Sequence, residues 1–133
     1  MRNKLHYIVT FSLITFLGYT FVNKLINFDA FLINIAKTGA FNGNIIYAVA
    51  FYALITEMLS ILLLVINEKV GHIVTLAVIL SYTLYIIFLA SIGKYEVCGC
   101  GGILNRLPFM WHLIINIFIV SSLFFVCTNE KKH

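Results

Sequence analysis

Apolar residues gather into four long runs, roughly residues 5–22, 45–66, 73–92 and 110–127, each near the ~20 residues that carry a helix across a hydrocarbon core. Lipid offers no partners to backbone N–H and C=O groups, so each run is predicted to be helical despite β-branched pairs such as Ile73-Val74. The expected fold class is an all-α, four-transmembrane-helix bundle, read as one integral membrane domain over residues 1–133. Between the first two runs, Phe28, Phe31, Leu32 and Ile35 recur at helical spacing, with Asp29 near the start and Gly39 after Lys37. This predicts a short amphipathic interfacial helix whose apolar stripe either covers the bundle or anchors a partner, and covering is the expectation. The short connection Asn67-Glu68-Lys69-Val70-Gly71 makes runs two and three antiparallel neighbours, with Gly71 expected as a helix C-cap.

Composition supports a lipid solvent. Of the 133 residues, 62% are hydrophobic and 11% charged, more apolar surface than a water-soluble body of this size can hide. Nine Lys and Arg against five Asp and Glu give a net charge of +4 without a dense basic run, so nucleic-acid binding is not indicated. No internal repeat, low-complexity tract or linker divides the chain. The first run follows Arg2 and Lys4 but lacks a small-x-small cleavage site, so it is expected to be retained as a span. With the N-terminus inside, Arg2, Lys4, Lys69, Lys131 and Lys132 face the cytoplasm, against Lys24, Lys37, Lys94 and Arg106 outside. The charges flanking the first span favour this orientation, with both termini cytoplasmic.

The chemistry concentrates in the second outer loop. Cys98 and Cys100 form a Cys-x-Cys pair among Gly99, Gly101 and Gly102, and Pro108 opens the fourth run. A disulfide across one intervening residue closes a small, strained ring, and strained, exposed disulfides are the labile ones. Redox activity is the leading reading. A static clip or buried thiols remain open, as does a metal held by Cys98, Cys100 and His112, although the spacing is shorter than that usual in tetrahedral sites. His112 and Asn116 share a helix face below this loop: His112 reads either as a base raising the thiolate fraction or as a packing residue, and Asn116 as packing. Glu57 lies near the middle of the second run, where an ionised carboxylate is costly. It is expected to face inward and be protonated, acting as a proton relay or a quinone ligand, or else hydrogen-bonding as a neutral group to Tyr85 or a backbone carbonyl. Tyr82 and Thr83 are further candidate partners, and Cys127 is assigned no role.

The run Cys98-Gly99-Cys100-Gly101-Gly102-Ile103-Leu104, followed by Trp111-His112-Leu113 and Asn116, resembles the CxCGG(I/V)L and HLxxN signature of MauE/DoxX-like redox-associated membrane proteins. Asn23-Lys24-Leu25, Glu57 with Leu62-Leu63-Leu64, and Tyr82-Thr83-Leu84-Tyr85 extend the resemblance over nearly the whole chain. Some namesake proteins carry CxCFG where Gly101 and Gly102 follow Cys100 here. The resemblance implies a four-helix inner-membrane protein acting in disulfide chemistry outside the cytoplasm. Namesake members are linked to maturation of the disulfide-rich small subunit of methylamine dehydrogenase, alongside a thioredoxin-like partner.

Together these readings give a thiol–disulfide oxidoreductase or its accessory subunit. Catalytic candidates are Cys98, Cys100, His112 and Glu57; quinone-binding candidates are Glu57, Tyr85 and Asn116; no metal is expected. The expected partners are the bilayer and either a periplasmic thioredoxin-fold protein or other membrane subunits. A single Cys-x-Cys pair favours an accessory role over an autonomous enzyme. The alternative is a non-catalytic scaffold of a larger complex with a structural Cys98–Cys100 loop. A small transporter gated by Glu57 is disfavoured because four spans leave little room for a substrate path.

Overall fold

A computed structural model describes residues 2–93 and 109–130, with side chains described for 4–93 and 110–129. The expected Cys98–Cys100 loop therefore lies outside the described residues. Five helices follow in order: α1 (Arg2–Ile26), α2 (Phe28–Lys37), α3 (Asn44–Ile66), α4 (Glu68–Ser91) and α5 (Phe109–Glu130). Four of them, all but α2, are long and apolar enough to cross a bilayer. The all-α four-span fold with a short amphipathic helix in the first connection is what the hydrophobic pattern predicts.

The principal pairings are α3 with α4, α4 with α5 and α1 with α3, and a smaller contact between α1 and α5 completes the ring. Two apolar clusters hold it together. Leu13, Leu17, Leu64, Ile79 and Leu123 draw on all four long helices and form the bundle centre. Phe31 and Ile35 of α2 pack on Ala50 and Ala53 of α3, so α2 covers one end of the bundle, as its stripe predicts. Large apolar residues such as Phe11, Ile55, Leu84 and Phe118 remain exposed on the outer faces. A lipid bilayer is the solvent that suits such a belt.

The link between α3 and α4 is tighter than the sequence suggests. Asn67 alone separates the helices, and its Oδ1 accepts a hydrogen bond from the Val70 N–H at 3.4 Å, capping α4. Gly71 is consequently not a C-cap: it lies in the first turns of α4, where a Cβ would meet the Leu64 backbone nitrogen at 2.5 Å. Its missing side chain lets the α3 and α4 backbones touch. The helix-terminus expectation for Gly71 is thereby corrected: the residue serves a close approach of two backbones.

Candidate functional site

Along α1, Thr10, Leu13, Leu17, Thr20 and Lys24 recur at spacings of three and four and are all buried. One face of the helix therefore runs from a threonine at one end to a lysine at the other, with the leucines of the bundle centre between them. On α3 the buried face carries Ala50, Ala53, Glu57, Ser60 and Leu64, bringing Glu57 opposite Lys24. The Lys24 Nζ donates to Glu57 Oε1 at 2.6 Å, with the two side chains 4% and 1% exposed. The Tyr82 hydroxyl, one helix further round on α4, donates to the same Oε1 at 3.1 Å and also reaches the Ala53 carbonyl at 3.3 Å. Lys24 further lies 5.8 Å from the Phe31 ring centroid and 5.7 Å from that of Tyr82, so aromatic faces replace part of its lost hydration.

His112 and Asn116 enter from the first turns of α5, and both are buried. The Asn116 Nδ2 donates to the Thr83 hydroxyl at 3.2 Å, which in turn donates to the Ile79 carbonyl at 2.7 Å, pinning α5 to α4. Lys24, Glu57, Tyr82, His112 and Asn116 all line a cavity of about 30 Å³, comparable to the volume of one water molecule. Glu57 Oε2 is buried with no hydrogen-bond partner among the described residues. The arrangement thus gathers an ammonium, a carboxylate with spare acceptor capacity, a phenol and an imidazole in one buried cluster around a space of about one water. Such a cluster can hold and relay protons.

Of the residues singled out from sequence, Glu57, His112, Asn116, Tyr82 and Thr83 meet in this cluster, whereas Cys98 and Cys100 lie outside the described residues. Glu57 faces inward as expected, and its side-chain partners are Lys24 and Tyr82, where the sequence offered Tyr85. Tyr85 instead lines a second, larger cavity on the other side of Tyr82, where its ring stacks on Phe41 at 6.4 Å. Lys24 was read as an outer-surface charge, but its place on the three-and-four face with Leu13, Leu17 and Thr20 is the signal that marks it as buried.

A second polar cluster, which sequence reasoning missed, occupies the opposite end of α1. His72, fully buried near the start of α4, shares a hydrogen bond of 2.9 Å with the Thr10 hydroxyl and packs edge-on against His6 at 4.9 Å. His6 Nδ1 is 3.1 Å from Glu68 Oε2 at the half-exposed margin. The leucine-rich bundle centre lies between these two polar ends. Among the described residues no group of three or more His, Cys, Asp or Glu is arranged to hold a metal ion.

Comparison with known families matches the sequence of this chain to one of them. The family described as Methylamine utilisation protein MauE matches residues 2–128, which takes in all four spans and both polar clusters. The chain belongs to the MauE family. It is accordingly a multi-pass membrane protein, as the resemblance in the Cys98–Cys100 and His112–Asn116 segments suggests. No curated protein and no solved structure matches the chain. Within this MauE protein, Lys24 and Glu57 join the first two spans, Tyr82 lies on the third, and His112 opens the fourth.

Proposed function

We propose that this MauE-family protein is an inner-membrane thiol–disulfide redox protein, or the accessory subunit of one. Cys98 and Cys100 exchange a disulfide with a thioredoxin-fold partner on the periplasmic side: two electrons and two protons leave the dithiol of one protein as its disulfide forms, and the other protein's disulfide is reduced. The observation that carries this reading is the position of the buried cluster. It lies in the half of the bundle toward which α4 runs to Ser91 and from which α5 starts at Phe109, the two helices that the cysteine-bearing stretch of sequence joins. His112, in the first turns of α5, is the group best placed in sequence to take or return a thiol proton, and the thiolate is the attacking species. The Lys24–Glu57–Tyr82 set extends that proton-handling surface inward.

Orientation follows from charge. With Lys24 paired inside the bundle, an N-in arrangement leaves Lys37, Lys94 and Arg106 outside against Arg2, Lys4, Lys69, Lys131 and Lys132 inside, a stronger bias than the raw sequence gives. Both termini are then cytoplasmic and residues 94–108 face the periplasm, where disulfides persist.

The test is thiol trapping in intact cells with a membrane-impermeant maleimide, in a Cys127→Ser background. Labelling of Cys98 and Cys100 only after reduction is the expected result. Protection until lysis, or unchanged disulfide states of periplasmic proteins when both cysteines become serine, would replace this reading with a scaffold role.

A further inference from the structure

The ion pair has a second side. Beyond Tyr82 a cavity of about 260 Å³ opens between α2, α3 and α4, walled by Phe31, Phe41, Tyr52, Tyr82 and Tyr85 and reached at one end by Lys24. Tyr52 is 54% exposed on the outer face of α3, so the cavity meets the surface that lies against lipid. Its volume falls just below that of sites holding whole drug-sized molecules, so it suits a single ring system whose tail remains among the acyl chains.

Three features define the ligand. The walls are flat aromatic faces, which favour a flat conjugated ring over a flexible chain. Lys24, the cation among the described lining residues, already has Glu57 at 2.6 Å, so the pair is neutral overall and an anionic head group would meet that carboxylate as well as the ammonium. A neutral hydrogen-bond acceptor fits better. Finally, the Lys24 ammonium stands 5.8 and 5.7 Å from the centroids of the Phe31 and Tyr82 rings that wall this cavity and uses one of its three N–H groups on Glu57 Oε1, so a proton donor with spare capacity stands at one end of a ring-sized apolar site.

We infer that this cavity binds a lipid-soluble quinone, with one ring carbonyl at the Lys24 ammonium and the ring between Phe31, Tyr82 and Tyr85. α2 forms the roof of the site, which gives this short helix a purpose beyond covering the bundle end. The chemistry that follows rests on the redox reading of Cys98 and Cys100. Two S–H bonds break and one S–S bond forms as the pair is oxidised; the two electrons reduce the quinone, and two protons arrive on its oxygens to give the quinol. Lys24 donates at the inner oxygen, and Glu57, itself hydrogen-bonded by Tyr82, holds the ammonium in place. The reverse reaction uses the same groups.

The test uses the full chain in lipid nanodiscs with 2,3-dimethyl-1,4-naphthoquinone, which lacks the free ring position that thiols attack, titrated calorimetrically against empty nanodiscs. Saturable binding is expected in the unaltered chain. Ser81→Phe and Val49→Phe each place a ring into the cavity wall without touching the ion pair, and each is expected to weaken binding at least tenfold while thermal unfolding is unchanged. Absence of saturable binding, unchanged affinity in both variants, or preferential binding of palmitate at the same site would overturn the assignment. The Cys98→Ser/Cys100→Ser chain keeps the two proposals apart. It is expected to bind the quinone normally and to lose thiol-dependent quinone reduction; if the unaltered chain binds but catalyses no reduction, the site stands and the redox reading falls.

Discussion

The decisive residue is Lys24. A lysine at 4% exposure and a glutamate at 1% sit in the part of the chain that lipid surrounds, and each is tolerable only because of the other. Truncating one partner strands the other charge, at a cost of about 3–5 kcal/mol, whereas replacing both by apolar residues of similar size removes the desolvation penalty as well as the attraction. Lys24→Met and Glu57→Leu are therefore each expected to destabilise the bundle by about that amount, and the double variant to be more stable than either single one. Equilibrium unfolding in mixed micelles, read as a double-mutant cycle, checks this. Additive losses in the double variant would mean that the pair is not coupled. The same cycle separates stability from function, because the stable double variant is expected to bind no quinone.

At the scale of elements, two glycines make opposite predictions. A Cβ at Gly71 meets the Leu64 nitrogen at 2.5 Å and its Cα at 2.7 Å, both backbone atoms that cannot swing aside. Gly71→Ala is expected to push α3 and α4 apart and cost about 1–3 kcal/mol, outweighing its gain in helix propensity. Gly18, in the interior of α1, has nothing within 4 Å of the corresponding position, so Gly18→Ala is expected to stabilise by up to about 1 kcal/mol. Unfolding midpoints of the two variants should move in opposite directions. The short helix α2 rests on fewer contacts, chiefly Phe31 and Ile35 against Ala50 and Ala53. Removing Ile35, 1% exposed, is expected to release this helix while leaving the four spans intact. Hydrogen exchange should then show lost protection confined to residues 28–37 in Ile35→Ala; protection lost equally from α3 and α4 would place α2 inside the cooperative core.

For the whole molecule, the exposed apolar belt makes alkaline carbonate extraction a direct check: the chain is expected to stay with the membrane pellet, and release into the wash would contradict a spanning bundle. The sequence by itself determined the solvent, the helical class, the four spans and the amphipathic α2, because lipid leaves the backbone one way to satisfy its polar groups and hydrophobic period is a local property. It also marked Glu57, His112 and Asn116 as unusual, since polar side chains stand out against an apolar run. Tertiary structure alone decided the partners. Lys24 lies 33 residues from Glu57, and the hydrogen-bonded Thr10 and His72 are 62 apart, separations over which no periodicity carries information. Whether a lysine near a span end snorkels to water or turns inward depends on what the next helix presents, and Gly71 likewise acquired its meaning from the Leu64 backbone across the turn. Pairing energies and close approaches belong to packed surfaces, and those exist only once the helices have met.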